Sequence, residues 1–192
     1  MLESLEMLDR SLFLLINGFH TPLLDRVMWQ LSENWPTFIL IAAVIFAMHK
    51  MKGRKRALEF ALGMALVFAC ADFTSNLIKH GVKRYRPTHN LEISQQVHTV
   101  NEYVGGKYGF FSAHAANTSG IITFVFLCLS WVPFKWRLLL FVYPLLVAYS
   151  RIYLGVHYPL DCVAGLVYGC LIGIGLYFVM NRYFFKAHAA TT

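Results

Sequence analysis

Five apolar stretches, at 35–49, 57–79, 114–132, 137–150 and 160–180, recur along this chain of 192 residues. A helix of about 20 apolar residues crosses the hydrocarbon core of a bilayer. Backbone amides find no partners there unless the segment is helical or belongs to a closed barrel. The pattern therefore predicts an all-α, polytopic transmembrane helical bundle of about five spans rather than a soluble core. Charged residues make up only 14% of the chain, against about a quarter in soluble domains. The first and fourth stretches are short, and Trp35, Trp131 and Trp136 stand where interfacial anchors would hold their ends.

The chain before residue 35 has a different pattern. Over 3–19, Leu5, Leu8, Leu12, Leu15, Ile16 and Phe19 share one helical face, and Glu3, Glu6, Asp9 and Arg10 mostly fall elsewhere. Pro22 opens a second amphipathic stretch, apolar at Leu23, Leu24, Val27 and Leu31. Both suit helices lying in the membrane interface. A single spanning helix over 11–31 would instead have to bury Asn17, His20, Asp25 and Arg26. The length fits one domain, with 1–34 as interfacial helices and 35–192 as the core. No basic region followed by a cleavage site opens the chain, so no removable signal peptide is expected.

Within the spans, Glu59 and Asp72 should face the bundle rather than lipid. Gly165, Gly169 and Gly173 form a stripe expected to let another helix approach closely. Cys70, Cys128, Cys162 and Cys170 lie in apolar segments without CxxC spacing, which argues against a disulfide framework or a zinc site.

Loop charges give an orientation. Lys50, Lys52, Arg54, Lys55 and Arg56 follow the first span, Lys135 and Arg137 follow the third, and Arg182 and Lys186 follow the fifth. Alternation puts all three groups on one side, which the positive-inside rule makes cytoplasmic. The net charge of +7 is explained in part by this placement and needs no nucleic-acid partner. The 80–113 loop then lies outside, and the short chain suits the inner membrane of a bacterium, with the site facing the periplasm.

A second set of polar residues converges on that outer side. Lys79 ends the second span and is followed by Arg86 and Pro87; Ser112, Ala113 and His114 open the third; Ser150 and Arg151 end the fourth; His157 and Asp161 open the fifth. Lys79, Arg86 and Arg151 can neutralise a phosphate, and Ser112 with the Ala113 amide can donate to its oxygens at a helix N-terminus. His157 can attack phosphorus, His114 can protonate a leaving oxygen, and Asp161, one turn after His157, can fix its tautomer. His157 and Asp161 could instead ligate a metal, but three cations nearby would repel one, so neither metal nor cofactor is expected. Lys83, Arg84 and Lys107 read as snorkelling anchors. His20, His49, His80, His89, His98 and His188 read as interfacial.

Lys79-x6-Arg86-Pro87, Ser112-x-His114 and Ser150-Arg151-x5-His157-x3-Asp161 resemble the three motifs of the type 2 phosphatidic acid phosphatase superfamily. Four fixed positions recur by chance roughly once in 10⁵ starts at average residue frequencies. The resemblance covers 57–165. It implies metal-independent hydrolysis through a phosphohistidine, with His157 as nucleophile, His114 as acid and then base, and Asp161 as orienter. The second motif departs from the family's Pro-Ser-Gly-His in having Phe111 and Ala113; alanine resists a positive φ if the site needs one.

The spans argue against the superfamily's soluble vanadium haloperoxidases. Among its lipid substrates, an outward-facing site favours undecaprenyl diphosphate, with lipid A 1-phosphate and phosphatidylglycerol phosphate as alternatives. The expected partners are the lipid phosphate and the surrounding membrane lipids. A non-enzymatic anion channel or transporter would explain the spans and cations, but not the His157–Asp161 pairing or His114.

Overall fold

The computed structural model describes residues 2–185, apart from the side chain of Leu2; Lys186 and His188 lie outside the described residues. Seven helices dominate: α1 (Leu2–Gly18), α2 (Pro22–Ser32), α3 (Trp35–Val82), α4 (Ala113–Cys128), α5 (Phe134–Leu138), α6 (Val142–Tyr153) and α7 (Pro159–Met180). Among the described residues the nearest approach to a sheet is one isolated antiparallel bridge between Tyr85 and Tyr108. Trp35–Val82 and Pro159–Phe185 are long and apolar enough to cross a membrane, and Ala113–Cys128 is a shorter apolar helix.

The predicted first and second stretches are one continuous element, interrupted only where Gly53 adopts φ 84° and ψ 170°. Glycine has no Cβ to clash in that conformation, so one residue reverses the helix direction inside the basic 50–56 run. The predicted fourth stretch is divided. A 3₁₀ turn, Leu139–Phe141, separates α5 from α6. Pro144 stands in the first turn of α6, where its missing N–H costs no helical bond.

Helix α4 is buried for most of its length and packs chiefly against α7. A Cβ at Gly165, Gly169 or Gly173 would come within 2.5, 2.1 and 2.4 Å of the backbone oxygens of Ser112, Ala116 and Gly120. The predicted glycine stripe is thus the seat of one helix on the other. Phe60, Met64 and Val67 of α3 close the core against Ile121, Phe124 and Val125 of α4. Asp72 accepts from Asn117 of α4 at 3.4 Å, and Glu59 pairs with Arg56 at 3.1 Å, so both acids face protein groups. The four cysteines are free.

The N-terminal stretches form two helices, as expected from Pro22. Thr21 caps α2 by accepting from Leu24 N at 3.2 Å, which excludes a single helix over 11–31. Helix α1 turns its apolar stripe away from the protein. Leu8 and Leu15 are 64% and 58% exposed, whereas Asp9, Phe13 and Asn17 are 3%, 0% and 1% exposed. The buried stripe runs i, i+4, i+8 and is mostly polar, because the surface it meets is polar. Asn17 exchanges hydrogen bonds with the His98 backbone and donates to Tyr153 O at 2.7 Å.

Candidate active site

The site lies at the end of the bundle opposite the Gly53 reversal. At the Gly53 end, Lys52 sits 4.8 Å over Trp131 and Arg56 donates to Phe185 O, so the basic turns after the first, third and fifth stretches share one end. The other end gathers the termini of α3, α4, α6 and α7.

Lys79 lies in the last turn of α3 and is buried. The chain then runs extended through Arg84–Arg86 beside 107–109, with Arg86 N donating to Lys107 O and Gly109 N to Arg84 O. Alternation along an extended segment puts Arg84 and Arg86 on the same side. Arg86 donates from Nε to Tyr108 O at 3.1 Å, while its Nη1 is buried with no partner. Pro87 is buried and starts a 3₁₀ turn.

Ser112 caps α4, accepting from Ala115 N at 3.5 Å, and its own N–H donates to Asp161 O at 3.0 Å. That bond joins the second motif to the third. Ala113 opens α4 without a positive φ, so replacing the family's glycine by alanine introduces no backbone strain. His114 follows in the first turn and is half-buried.

Arg151 lies in the last turn of α6, buried, with Nη1 bonded to Ser32 Oγ of α2 and its guanidinium 5.8 Å over Tyr103. Its Nε is buried without a partner. Ser150 turns away: its hydroxyl donates to Val147 O on its own helix at 2.7 Å, so its hydroxyl is used locally rather than offered to a phosphate.

Gly155, at φ 77°, turns the chain from α6 toward His157; a Cβ there would lie 2.9 Å from His98 O. His157 is 1% exposed, and its Nδ1 lies 3.5 Å from Asp161 Oδ2. Burial, and then the positive charges of Arg86, Arg151 and Lys79, hold this imidazole well below the usual histidine range. It is therefore neutral near pH 7, with a free lone pair. Burial and the Arg151 charge likewise push the Arg86 guanidinium down from its ordinary value. Lys79, Arg86 and Arg151 thus bring their charges to a buried histidine, with Arg86 Nη1 and Arg151 Nε unpartnered, and an oxyanion would satisfy both deficits.

Sequence reasoning missed three contributors. Arg84 is not a snorkelling anchor: it bonds Asp161 Oδ1 and Asp9 Oδ2, each at 2.6 Å. A cation between two buried acids has no reason to seek the interface. Asp9 reaches the site from α1 and also accepts from Leu160 N at 2.9 Å, and Ser32 reaches it from α2. The only advance signal was the i, i+4, i+8 spacing of Asp9, Phe13 and Asn17. His98 and His20 are also more than interfacial side chains. Their rings stack at 3.7 Å, and His98 Nε2 lies 3.0 Å from Asp25 Oδ1.

Comparison with known proteins gives the family. The chain is 36% identical over 171 residues to the lipid A 4'-phosphatase of Porphyromonas gingivalis, spanning 88% of this chain and 71% of that protein. It is 33% identical over 185 residues to the lipid A 4'-phosphatase of Bacteroides thetaiotaomicron, spanning 95% and 81%. Its fold matches the crystal structure of the transmembrane PAP2-type phosphatidylglycerolphosphate phosphatase of Bacillus subtilis with a TM-score of 0.73 at 20% identity, over 94% of this chain and 88% of that one. The PAP2 superfamily profile matches residues 57–185, which contain all three motifs, and the chain belongs to that superfamily, among its phosphatases that hydrolyse lipid phosphate esters.

Proposed function

We propose that the chain removes a phosphate monoester from the sugar headgroup of lipid A, through a phosphohistidine on His157. The observation that carries the phosphate chemistry is the crowding of Lys79, Arg86 and Arg151 around a buried, neutral His157. The choice of lipid rests on two relatives, 36% and 33% identical, both named lipid A 4'-phosphatase. Undecaprenyl diphosphate, which the sequence favoured, gives way to the lipid A alternative, with the 4' rather than the 1 position as the site attacked.

In this mechanism Asp161 faces Nδ1, leaving Nε2 to attack phosphorus. As the bond from phosphorus to the sugar oxygen breaks, His114 gives that oxygen a proton. The phosphoryl group is then on His157, its oxygens held by Lys79, Arg86, Arg151 and the N-terminal amides of α4. A water attacks phosphorus, His114 takes its proton, and the N–P bond breaks to release phosphate. Donors placed in advance around a buried site stabilise the transferring group without reorganisation.

Five membrane crossings fit this function: the two arms of α3, α4, α5 with α6, and α7. The basic end would be cytoplasmic and the site would open to the periplasm of a bacterial inner membrane, the leaflet side where the lipid's phosphorylated headgroup would be presented.

The test is a side-by-side hydrolysis assay in detergent with chelator. The substrates are lipid A bearing both phosphates, lipid A bearing each alone, undecaprenyl diphosphate and phosphatidylglycerol phosphate. Selective loss of the 4'-phosphate supports the proposal; faster hydrolysis of undecaprenyl diphosphate overturns the choice of lipid.

A further inference from the structure

We propose that Arg84 and Asp9 are positioning residues that hold Asp161, and through it His157, in the orientation needed for attack. The inference rests on the reading of His157 as nucleophile and Asp161 as its orienter.

Asp161 has two oxygens and two tasks. Oδ2 accepts from Tyr158 N at 3.0 Å and faces His157 Nδ1 at 3.5 Å. Oδ1 accepts from Arg84 Nη1 at 2.6 Å. Rotation of the carboxylate would exchange these oxygens, and a monodentate bond to a flexible arginine would not prevent it. Arg84 is itself fixed on two further sides. Its Nη2 donates to Asp9 Oδ2 at 2.6 Å, and its guanidinium lies 4.3 Å over the Tyr158 ring. Asp9 is in turn tied to the nucleophile's helix through Leu160 N. The chain Asp9–Arg84–Asp161 closes on α7 at both ends.

The charges point the same way. Arg84 supplies the counter-charge to the fully buried carboxylate beside His157. Both Nη groups of Arg84 are engaged by carboxylates, which separates it from Arg86 and Arg151, each of which keeps one buried nitrogen, Nη1 and Nε respectively, without a partner. Arg84 therefore acts on Asp161 and not on phosphate. Helix α1, which precedes the region matched by the family profile, supplies the outer end of the clamp.

The experiment is steady-state kinetics on purified full-length protein for Arg84→Ala, Arg84→Lys, Asp9→Asn, Asp161→Asn and Arg84→Ala/Asp161→Asn, each checked for monodispersity in detergent. Loss of a group that orients a metal-ligating side chain costs about 10–100-fold, and the same order is expected for a group that orients Asp161. Arg84→Ala should lose about that factor in kcat with KM near unchanged, and added methylguanidinium should restore part of it. Asp9→Asn should lose less in the same direction. In the Asp161→Asn background, Arg84→Ala should cost nothing more, because the group it positions is already altered. Multiplicative losses, unchanged kcat, or a rise in KM alone would overturn the proposal. If Arg84→Ala does not fold, Arg84→Lys decides. It keeps the charge but cannot span both acids, so unchanged kcat would refute the clamp. Turnover by His157→Ala would instead sink the nucleophile reading itself.

Discussion

The imidazole Nδ1 of His157 faces Asp161 Oδ2 at 3.5 Å, while the other oxygen of that carboxylate is held at 2.6 Å by Arg84. The separation from His157 is long for a formed hydrogen bond, and such contacts tighten once substrate is bound. His157→Ala should abolish turnover and leave no acid-trapped phosphoenzyme. Asp161→Asn keeps the shape and loses the charge, and should lower kcat with little change in substrate binding; an orienting aspartate in a hydrolytic triad is worth roughly 10⁴. Phosphate trapped on His114 after acid quench would reverse the assignment.

The contribution of His114 should depend on the leaving group. A sugar alkoxide needs a proton as its bond to phosphorus breaks, whereas a lipid phosphate or nitrophenolate leaves without one. General acid catalysis supplies roughly 10²–10⁴-fold. His114→Ala should therefore impair lipid A hydrolysis by about that factor and nitrophenyl phosphate hydrolysis much less. Equal losses on both substrates would make His114 a phosphate ligand instead.

Burial of neutral His157 links stability to pH. Its folded pKa lies well below 6.5, while the unfolded chain's histidine titrates near 6.5. Between those values the unfolded state binds the extra proton, so stability rises with pH there. The His157 contribution is complete above about pH 6.5 and is lost as pH falls below it toward the folded pKa. His157→Gln should show a smaller drop in Tm between neutral and mildly acidic pH than the parent. An equal drop would assign the acid sensitivity to other groups.

Gly169 sits where a Cβ would lie 2.1 Å from Ala116 O and 2.2 Å from Ser119 Oγ. Backbone cannot yield as a side chain can, so Gly169→Ala must push α7 away from α4. Overpacking of this kind costs about 1–3 kcal/mol. Because Ser112 and Asp161 join those same helices, kcat should fall with Tm. Gly175, which has nothing within 4 Å of its would-be Cβ, should accept alanine without loss of either.

Orientation can be read by labelling single-cysteine variants in intact cells with an impermeant thiol reagent. A cysteine at position 95, in the 80–113 loop, should label from outside, and one at 53 only after the membrane is opened. The reverse pattern would place the site in the cytoplasm and remove the periplasmic role.

Much of the site was legible in the sequence because its residues are tied to helix ends. Lys79, His114, Arg151, His157 and Asp161 each stand where an apolar stretch begins or stops, and polar groups at those places need a reason to be there. The spacing of His157 and Asp161 placed them one turn apart, and the glycines at 165, 169 and 173 announced a close helix contact. What periodicity could not reveal was which face of α1 is buried. In water an apolar stripe points to the core. Beside a bilayer the lipid accepts Leu8 and Leu15, and the protein interior can take the polar stripe. Arg84 meets Asp161 across 77 residues and Asp9 across 75, separations at which no local pattern in the chain records a partner. The sequence by itself therefore determined the helical class and the convergence of the motifs at one end of the bundle. Only the tertiary structure decided that α1 turns Asp9 inward, since buried charge is tolerated only where packing delivers a counter-charge to it.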